Sequence, residues 1–187
     1  AACSGFLFAL ATGAQFIENE TYAKVVVIGS DMMSSIIDYH DRNTCVIFGD
    51  GAGAVLLEPR RDGTGIQDFV LRGDGAGRHV LHMKAGGSLR PASHETVDNR
   101  EHYAYQDGKR VFMHAVKGMV GTTEEVMRRN KITADDVAWV VPHQANMRII
   151  SSVAEHLGFP LERVTINIEK YGNTTAATLP LCLWEYE

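Results

Sequence analysis

The sequence predicts an α/β fold with at least one mostly parallel sheet. Three observations carry that expectation. Short β-branched runs such as Val25-Val26-Val27-Ile28 and Val137-Ala138-Trp139-Val140-Val141 end in Gly, Ser or Pro, the punctuation of buried strands. Between them lie stretches with apolar residues at helical spacing, at 111–126 and 147–157. The two kinds alternate along the second half of the chain, as they do where helices cross over a parallel sheet.

Taken in order, residues 5–17 hold Phe6, Leu7, Phe8, Ala9, Leu10, Ala11, Phe16 and Ile17, which predicts a helix buried on most faces. The run at 25–30 predicts a buried strand. Val46-Ile47-Phe48 and Ala54-Val55-Leu56-Leu57 read as two strands bracketing the connection Gly49-Asp50-Gly51-Ala52-Gly53. From Arg60 to about Asp107 the pattern is irregular and rich in Gly, His and Arg, as expected of short strands and a long surface excursion. Helical spacing resumes at Gly108 and runs to Asn130. Residues 133–136 offer a cap and turn, followed by the strand at 137–141, which Pro142 closes. A helix from about Asn146 to Leu157 has Gly158 as its stop. A strand at 164–168, a tight turn at Tyr171-Gly172-Asn173 and a helix from Thr174 onward complete the chain.

Composition narrows the function. The chain has 187 residues and a formal net charge of −5, a balance that argues against neutralising nucleic-acid phosphates or anionic lipid as its main work. With 45% hydrophobic and 22% charged residues it is globular in composition. No apolar run approaches the roughly 20 residues of a membrane span, so a soluble, non-membrane protein is expected. Three cysteines, Cys3, Cys45 and Cys182, are too few for a disulfide framework and fit a reducing compartment. Glycine, at 18 residues, exceeds the usual share of about 7% and points to tight turns or close backbone approaches. The chain opens without Met or a targeting segment, and both ends stop within helical patterns, so both are expected to be cut.

Several residues sit where chemistry could occur. Cys3 falls at the first turn of the predicted first helix, where free N–H groups and the helix dipole favour a thiolate. The alternative is a small buried hydrophobe, which is how Cys45 and Cys182 read. His143 follows a strand and Pro142 and precedes a helix, a junction that can aim a side chain into a cleft or leave it on the surface. Asn173 occupies a similar junction and could equally be a plain turn or cap residue. Together, a Cys with a His and an Asn elsewhere in the chain is a known nucleophile constellation. The glycine-rich 49–53 segment lacks the spacing of a phosphate loop and precedes a strand, not a helix. His79 and His82 lack partners at metal-ligand spacing and are expected to face solvent, so no metal site is predicted. Arg128, Arg129 and Lys131 close a helix, where cations suit the dipole or could meet an acidic partner.

Four motifs then stand in one order and register: Ala2-Cys3-Ser4-Gly5-Phe6, Phe48-Gly49-Asp50-Gly51-Ala52-Gly53-Ala54, Val141-Pro142-His143-Gln144-Ala145-Asn146 and Tyr171-Gly172-Asn173-Thr174-Thr175-Ala176-Ala177. In these the chain resembles the β-ketoacyl-acyl-carrier-protein synthase III family, the condensing enzymes that begin type II fatty-acid synthesis. Asn173 stands where elongating synthases have a second His, and the supporting segment for the catalytic Glu of hydroxymethylglutaryl-CoA synthases is not found. Chalcone-type synthases share Cys-His-Asn but differ around the His.

The resemblance implies a thiolase fold of two similar α/β halves, layered αβαβα, each with a five-stranded sheet. Residues 1–105 would be the later part of the first half plus a connecting excursion, and 106–187 most of the second. It further implies a cytoplasmic homodimer, no tightly bound cofactor, acyl-CoA as substrate (acetyl-CoA first among primers) and malonyl-acyl-carrier protein as partner. Cys3 would carry the acyl group, while His143 and Asn173 stabilise an enolate. The Cys3 backbone N–H would be one donor to the acyl oxygen, and a glycine-rich segment beyond Glu187 the other. Arg42 would contact the CoA adenine, Gly108, Phe112 and Asn146 the pantetheine tunnel, and Arg148 the docked carrier protein. Met113, Glu155 and His156 depart from the basic residues of some relatives, and the stretch from Lys84 to Tyr105 would flank the tunnel mouth. An acyltransferase that esterifies or amidates a small molecule and a non-catalytic dimerising scaffold are the alternatives; both His143 and Asn173 favour decarboxylation.

Overall fold

A computed structural model describes residues 1–187. Cys3 lies in a 3-10 turn, Ala2–Ser4, that runs straight into helix α1, Gly5–Glu18. Strands β1, Val25–Asp31, and β2, Gly51–Leu57, pair antiparallel from Val25↔Leu57 to Asp31↔Gly51. The excursion that follows contains β3, Leu81–Met83, the short helix α2, His94–Asp98, and β4, Ala104–Gln106, with β3 and β4 antiparallel. Helix α3, Gly108–Asn130, then packs on α4, Met147–Leu157. Helix α5, Ile168–Tyr171, a 3-10 turn, Thr175–Ala177, and helix α6, Thr178–Glu185, end the chain.

The helices form where local chemistry directs them. Asp107 caps α3 by accepting a bond from the Arg110 N–H at 3.1 Å, and Asn146 caps α4 through the Ile149 N–H at 3.0 Å. Gly158, at φ +73°, supplies the left-handed stop of α4. One face of α4 buries Ile149, Ile150, Val153 and Ala154; Ile150 and Ala154 join Phe159 and Val164 in one core. A second core holds Phe6 of α1, Val27 of β1 and Leu179 of α6, with Val25, Val55, Val141 and Ala176 around it. Elements from the two ends of the chain therefore share one hydrophobic centre.

Three sequence expectations need correction. The ladders are antiparallel rather than mostly parallel; parallel pairing is confined to the single bridges Phe48↔Asn173 and Val140↔Val164. Residues 46–48, 137–141 and 164–168 are consequently not ladder strands. The segment before Phe48 is wound into a turn by Asp41, whose carboxylate takes bonds from Asn43 and Thr44 and whose carbonyl takes the Cys45 N–H. Glycine-rich 51–53 belongs to β2 itself. Third, α1 and β1 are buried on one face only: Leu7, Phe16, Val26 and Ile28 are exposed while Phe6, Ala11, Ala14 and Val27 are buried. Strand alternation explains this for β1, since α1 and α6 cover only the Val25–Val27 side.

That covered side is floored with glycine for a steric reason. A side-chain carbon at Gly29 would fall well inside van der Waals contact distance of the Ala176 carbonyl oxygen, and one at Gly49 would meet the Tyr171 carbonyl in the same way. The 171–177 segment can therefore lie directly on the β1–β2 backbone. Gly29→Ala should destabilise the fold by at least about 1–3 kcal/mol, read as a lower urea midpoint, because backbone has to move to admit one methyl group. An unchanged midpoint would contradict this close approach.

Candidate active site

Around residues 173–178 the structure gathers Cys3, His143 and Asn173. The 3-10 turn that carries Cys3 packs against the Thr175–Ala177 turn, and Ala2, just before the cysteine, is held at φ +43°. His143 Nδ1 lies 2.8 Å from the Thr178 hydroxyl. The Asn173 side-chain oxygen accepts the Thr175 N–H at 2.9 Å, and Asn173 is buried. Its backbone is clamped on both sides, donating to the Ile47 carbonyl at 2.9 Å and accepting the Gly49 N–H at 3.0 Å. Here the glycine-rich segment finds its use: it anchors the Asn173 turn rather than cradling a phosphate. Asp50 fixes that segment in turn by accepting the Ser34 N–H at 2.7 Å and the Ser34 hydroxyl at 2.6 Å, contacts that hold its carboxyl below the usual range.

Two positioning residues escaped sequence reasoning. Gln144 is fully buried and uses its whole amide: Nε2 donates to the Pro142 and Thr165 carbonyls at 3.0 and 3.1 Å, and Oε1 accepts the Asn167 and Ile168 N–H groups at 3.0 and 3.2 Å. It locks the peptide beside His143 to the segment leading into Asn173. Asp31, the last residue of β1, accepts bonds from the Thr175 hydroxyl and from the Ala176 N–H at 3.0 Å. Only its place at a strand end, next to Gly29-Ser30, could have drawn notice.

Burial sets the charge states. It pushes the Cys3 thiol up to about 11, with the Asp31 carboxylate adding to the rise and a backbone hydrogen bond opposing it. The shift runs opposite to the depressed value expected from the helix terminus, with desolvation its largest cause. Burial also lowers His143 to about 4, so the imidazole is neutral at pH 7. A neutral ring has one N–H, and Thr178 decides where it sits. When the Thr178 hydroxyl donates to Nδ1, Nε2 carries the proton and is a donor. When that hydroxyl donates instead to the Thr175 carbonyl, 3.0 Å away, Nδ1 holds the proton and Nε2 is an acceptor.

The remaining predicted residues are dispersed. Arg148 lies over the Phe112 ring at 5.5 Å, a cation–π contact that joins α4 to α3. Asn146 is the cap of α4, Gly108 opens α3, and Arg42 is exposed in the turn at 42–47. Met113, Glu155 and His156 are exposed. His79 is exposed as expected, but His82 is partly buried edge-on against Tyr105, with a buried Nδ1. No group of three or more His, Cys, Asp or Glu side chains is placed to hold a metal, and no helix is long and apolar enough to cross a membrane.

Comparison with known proteins shows which family the chain is similar to. The family model for 3-oxoacyl-[acyl-carrier-protein] synthase III matches residues 1–75, and the model for its C-terminal region matches 127–187. A β-ketoacyl-[acyl-carrier-protein] synthase III of Porphyromonas gingivalis is 54% identical over 187 residues, covering 100% of this chain and 56% of the relative. One from Koribacter versatilis is 59% identical over 185 residues, 98% of this chain and 56% of the relative. The solved synthase III of Thermus thermophilus superposes with a TM-score of 0.88 at 38% identity, over 99% of this chain and 56% of that one. The chain thus spans about half the length of the relatives it matches. The five-stranded sheets that the resemblance implies are represented in it by the β1–β2 pair and single bridges.

The His143 shift has a measurable consequence. The folded chain holds this proton more weakly than the unfolded one, so stability is untouched above about pH 6.5 and falls as pH drops from there through about 4. Unfolding followed across that range should show the decline, and His143→Gln should flatten it. Equal slopes in the two proteins would contradict the burial of the ring.

Proposed function

We propose that this chain, which belongs to the 3-oxoacyl-[acyl-carrier-protein] synthase III family and has its α/β thiolase fold, supplies the catalytic residues for a decarboxylative condensation of acyl-CoA with malonyl-acyl-carrier protein. The observation that carries this reading is the way the two candidate donors are held. Asn173 spends its oxygen on the Thr175 N–H, and His143 is fixed through Nδ1, which leaves the Asn173 amide N–H groups and His143 Nε2 as the groups free to act. Two such groups beside one nucleophile suit a reaction in which an oxyanion develops.

In the first stage Cys3 Sγ attacks the thioester carbonyl of acyl-CoA. The carbon–sulfur bond to CoA breaks, and the cysteine proton leaves on the CoA thiol. A thiol pushed up to about 11 is protonated at rest, so proton loss accompanies attack, and Nε2 in its acceptor tautomer can receive that proton in transit. In the second stage the malonyl group loses CO2, and the electron pair of the broken bond forms an enolate. Nε2–H of His143 and the Asn173 amide hydrogen-bond to its oxygen. The enolate carbon then attacks the acyl carbonyl on Cys3, giving β-ketoacyl-acyl-carrier protein and returning the cysteine, which regains a proton.

Other assignments rest on the family. Arg42 would meet the CoA adenine, and Gly108, Phe112 and Asn146 the pantetheine arm. Arg148, exposed on α4 and stacked on Phe112, would meet the acidic carrier protein. The halves would be 1–105 and 106–187, a division supported by separate family models for 1–75 and 127–187. The whole protein would be a cytoplasmic homodimer without a tightly bound cofactor.

Intact mass of the full-length protein before and after incubation with acetyl-CoA is the test. One acyl adduct is expected on the wild type and none on Cys3→Ala; no wild-type adduct, or the same adduct on the variant, would overturn the assignment. Asn173→Ala should keep the adduct, His143→Ala should form it more slowly, and both should lose condensation by about 100-fold or more, the scale of a lost oxyanion donor.

A further inference from the structure

Thr175 has φ +49°, in the left-handed region, which a β-branched residue occupies rarely and only where its surroundings over-determine it. Each of its polar groups is engaged. The N–H donates to the Asn173 side-chain oxygen at 2.9 Å, the carbonyl accepts the Thr178 hydroxyl at 3.0 Å, and the hydroxyl donates to Asp31. The same Asp31 oxygen takes the next N–H, that of Ala176, at 3.0 Å. Thr178 in turn contacts His143. One turn thus orients both proposed donors, and Asp31 is its only charged anchor.

We infer that Asp31 is a positioning residue for the condensation step: its carboxylate pins the Thr175 turn, which aims the Asn173 amide by hydrogen bond and sets the place of Thr178, three residues on, against the His143 ring. This rests on the reading of Cys3, His143 and Asn173 given above. Asp31 reaches across the fold from the end of β1, 144 residues from Thr175, so the constraint is tertiary and not a local turn preference. A charge-assisted acceptor is the strong kind of hydrogen-bond partner, able to hold backbone in a strained region. The arrangement also places a carboxylate near the nucleophile. The charged side chain acting on Cys3 is Asp31, which disfavours the thiolate. Anchoring the turn and activating the thiol therefore pull in opposite directions. A neutral acceptor at position 31 separates the two.

The experiment compares wild type, Asp31→Ala and Asp31→Asn in the full-length protein. Three readouts are needed: acyl transfer from acetyl-CoA to Cys3 by intact mass, condensation with malonyl-acyl-carrier protein, and the pH dependence of Cys3 alkylation by iodoacetamide. Asp31→Ala should keep acyl transfer within about threefold and lose condensation by about 10- to 100-fold, the range of a charge-assisted hydrogen bond. Asp31→Asn, which can still accept both bonds, should recover most of the condensation while its alkylation midpoint moves to lower pH. Full condensation in Asp31→Ala would overturn the inference. So would equal loss of both steps in the two variants. Should Asp31→Ala fail to fold, Asp31→Asn alone decides: recovered condensation with a shifted midpoint supports the role, and a condensation defect with an unshifted midpoint removes it. Wild type that neither acylates nor condenses would instead defeat the parent reading, whereas the alkylation shift needs no turnover and stands apart from it.

Discussion

Three side chains bond Thr175, which sits in a backbone conformation that its own side chain disfavours, and the rest of the site is arranged around that turn. Asp31, Asn173 and Thr178 bond it, and the glycine floor packs against its neighbours Tyr171 and Ala176. The floor works because glycine stands at 29 and 49, where any side-chain carbon would collide with backbone oxygens of the 171–177 segment. Sequence features that read separately, a glycine surplus and a polar run after Gly172, are two surfaces of one contact. Strain of this kind persists only when several partners agree on it.

Burial is the second constraint, and it works on both reactive groups alike. Desolvation raises the Cys3 thiol and lowers the His143 imidazole, so both rest neutral. Two neutral groups have no ion pair to break before substrate arrives. Such a site is suited to charge that appears during reaction rather than to charge stored beforehand. The Thr178 hydroxyl has two acceptors to choose between, so one imidazole can hold its proton on either nitrogen, as the proposed two-stage reaction requires.

Legibility in the sequence followed the range of the interactions. Helices α1, α3 and α4 were readable to within a residue at most ends, since their periodicity and the caps at Asn146 and Gly158 are local. Residues 46–48 and 137–141 misled because β-branched composition reports fitness for a sheet, while a ladder needs a neighbour supplied elsewhere in the chain. Cys3 misled in the same way: the helix terminus is visible locally, the burial that raises its thiol is not. His143 and Asn173 could be singled out by their junctions and their motifs. Asp31 and Gln144 could not, because their partners lie 144 and 21 to 24 residues away.

The central claim is that one turn aims two donors at one oxygen. A crystal structure of the full-length protein with a non-decarboxylating malonyl thioester analogue measures this directly. His143 Nε2 and the Asn173 amide nitrogen should both lie about 2.7–3.2 Å from the analogue's thioester oxygen, with Thr175 still bonded to Asp31. An analogue oxygen that meets only one of them, or an Asn173 amide turned to present its oxygen, would contradict the account.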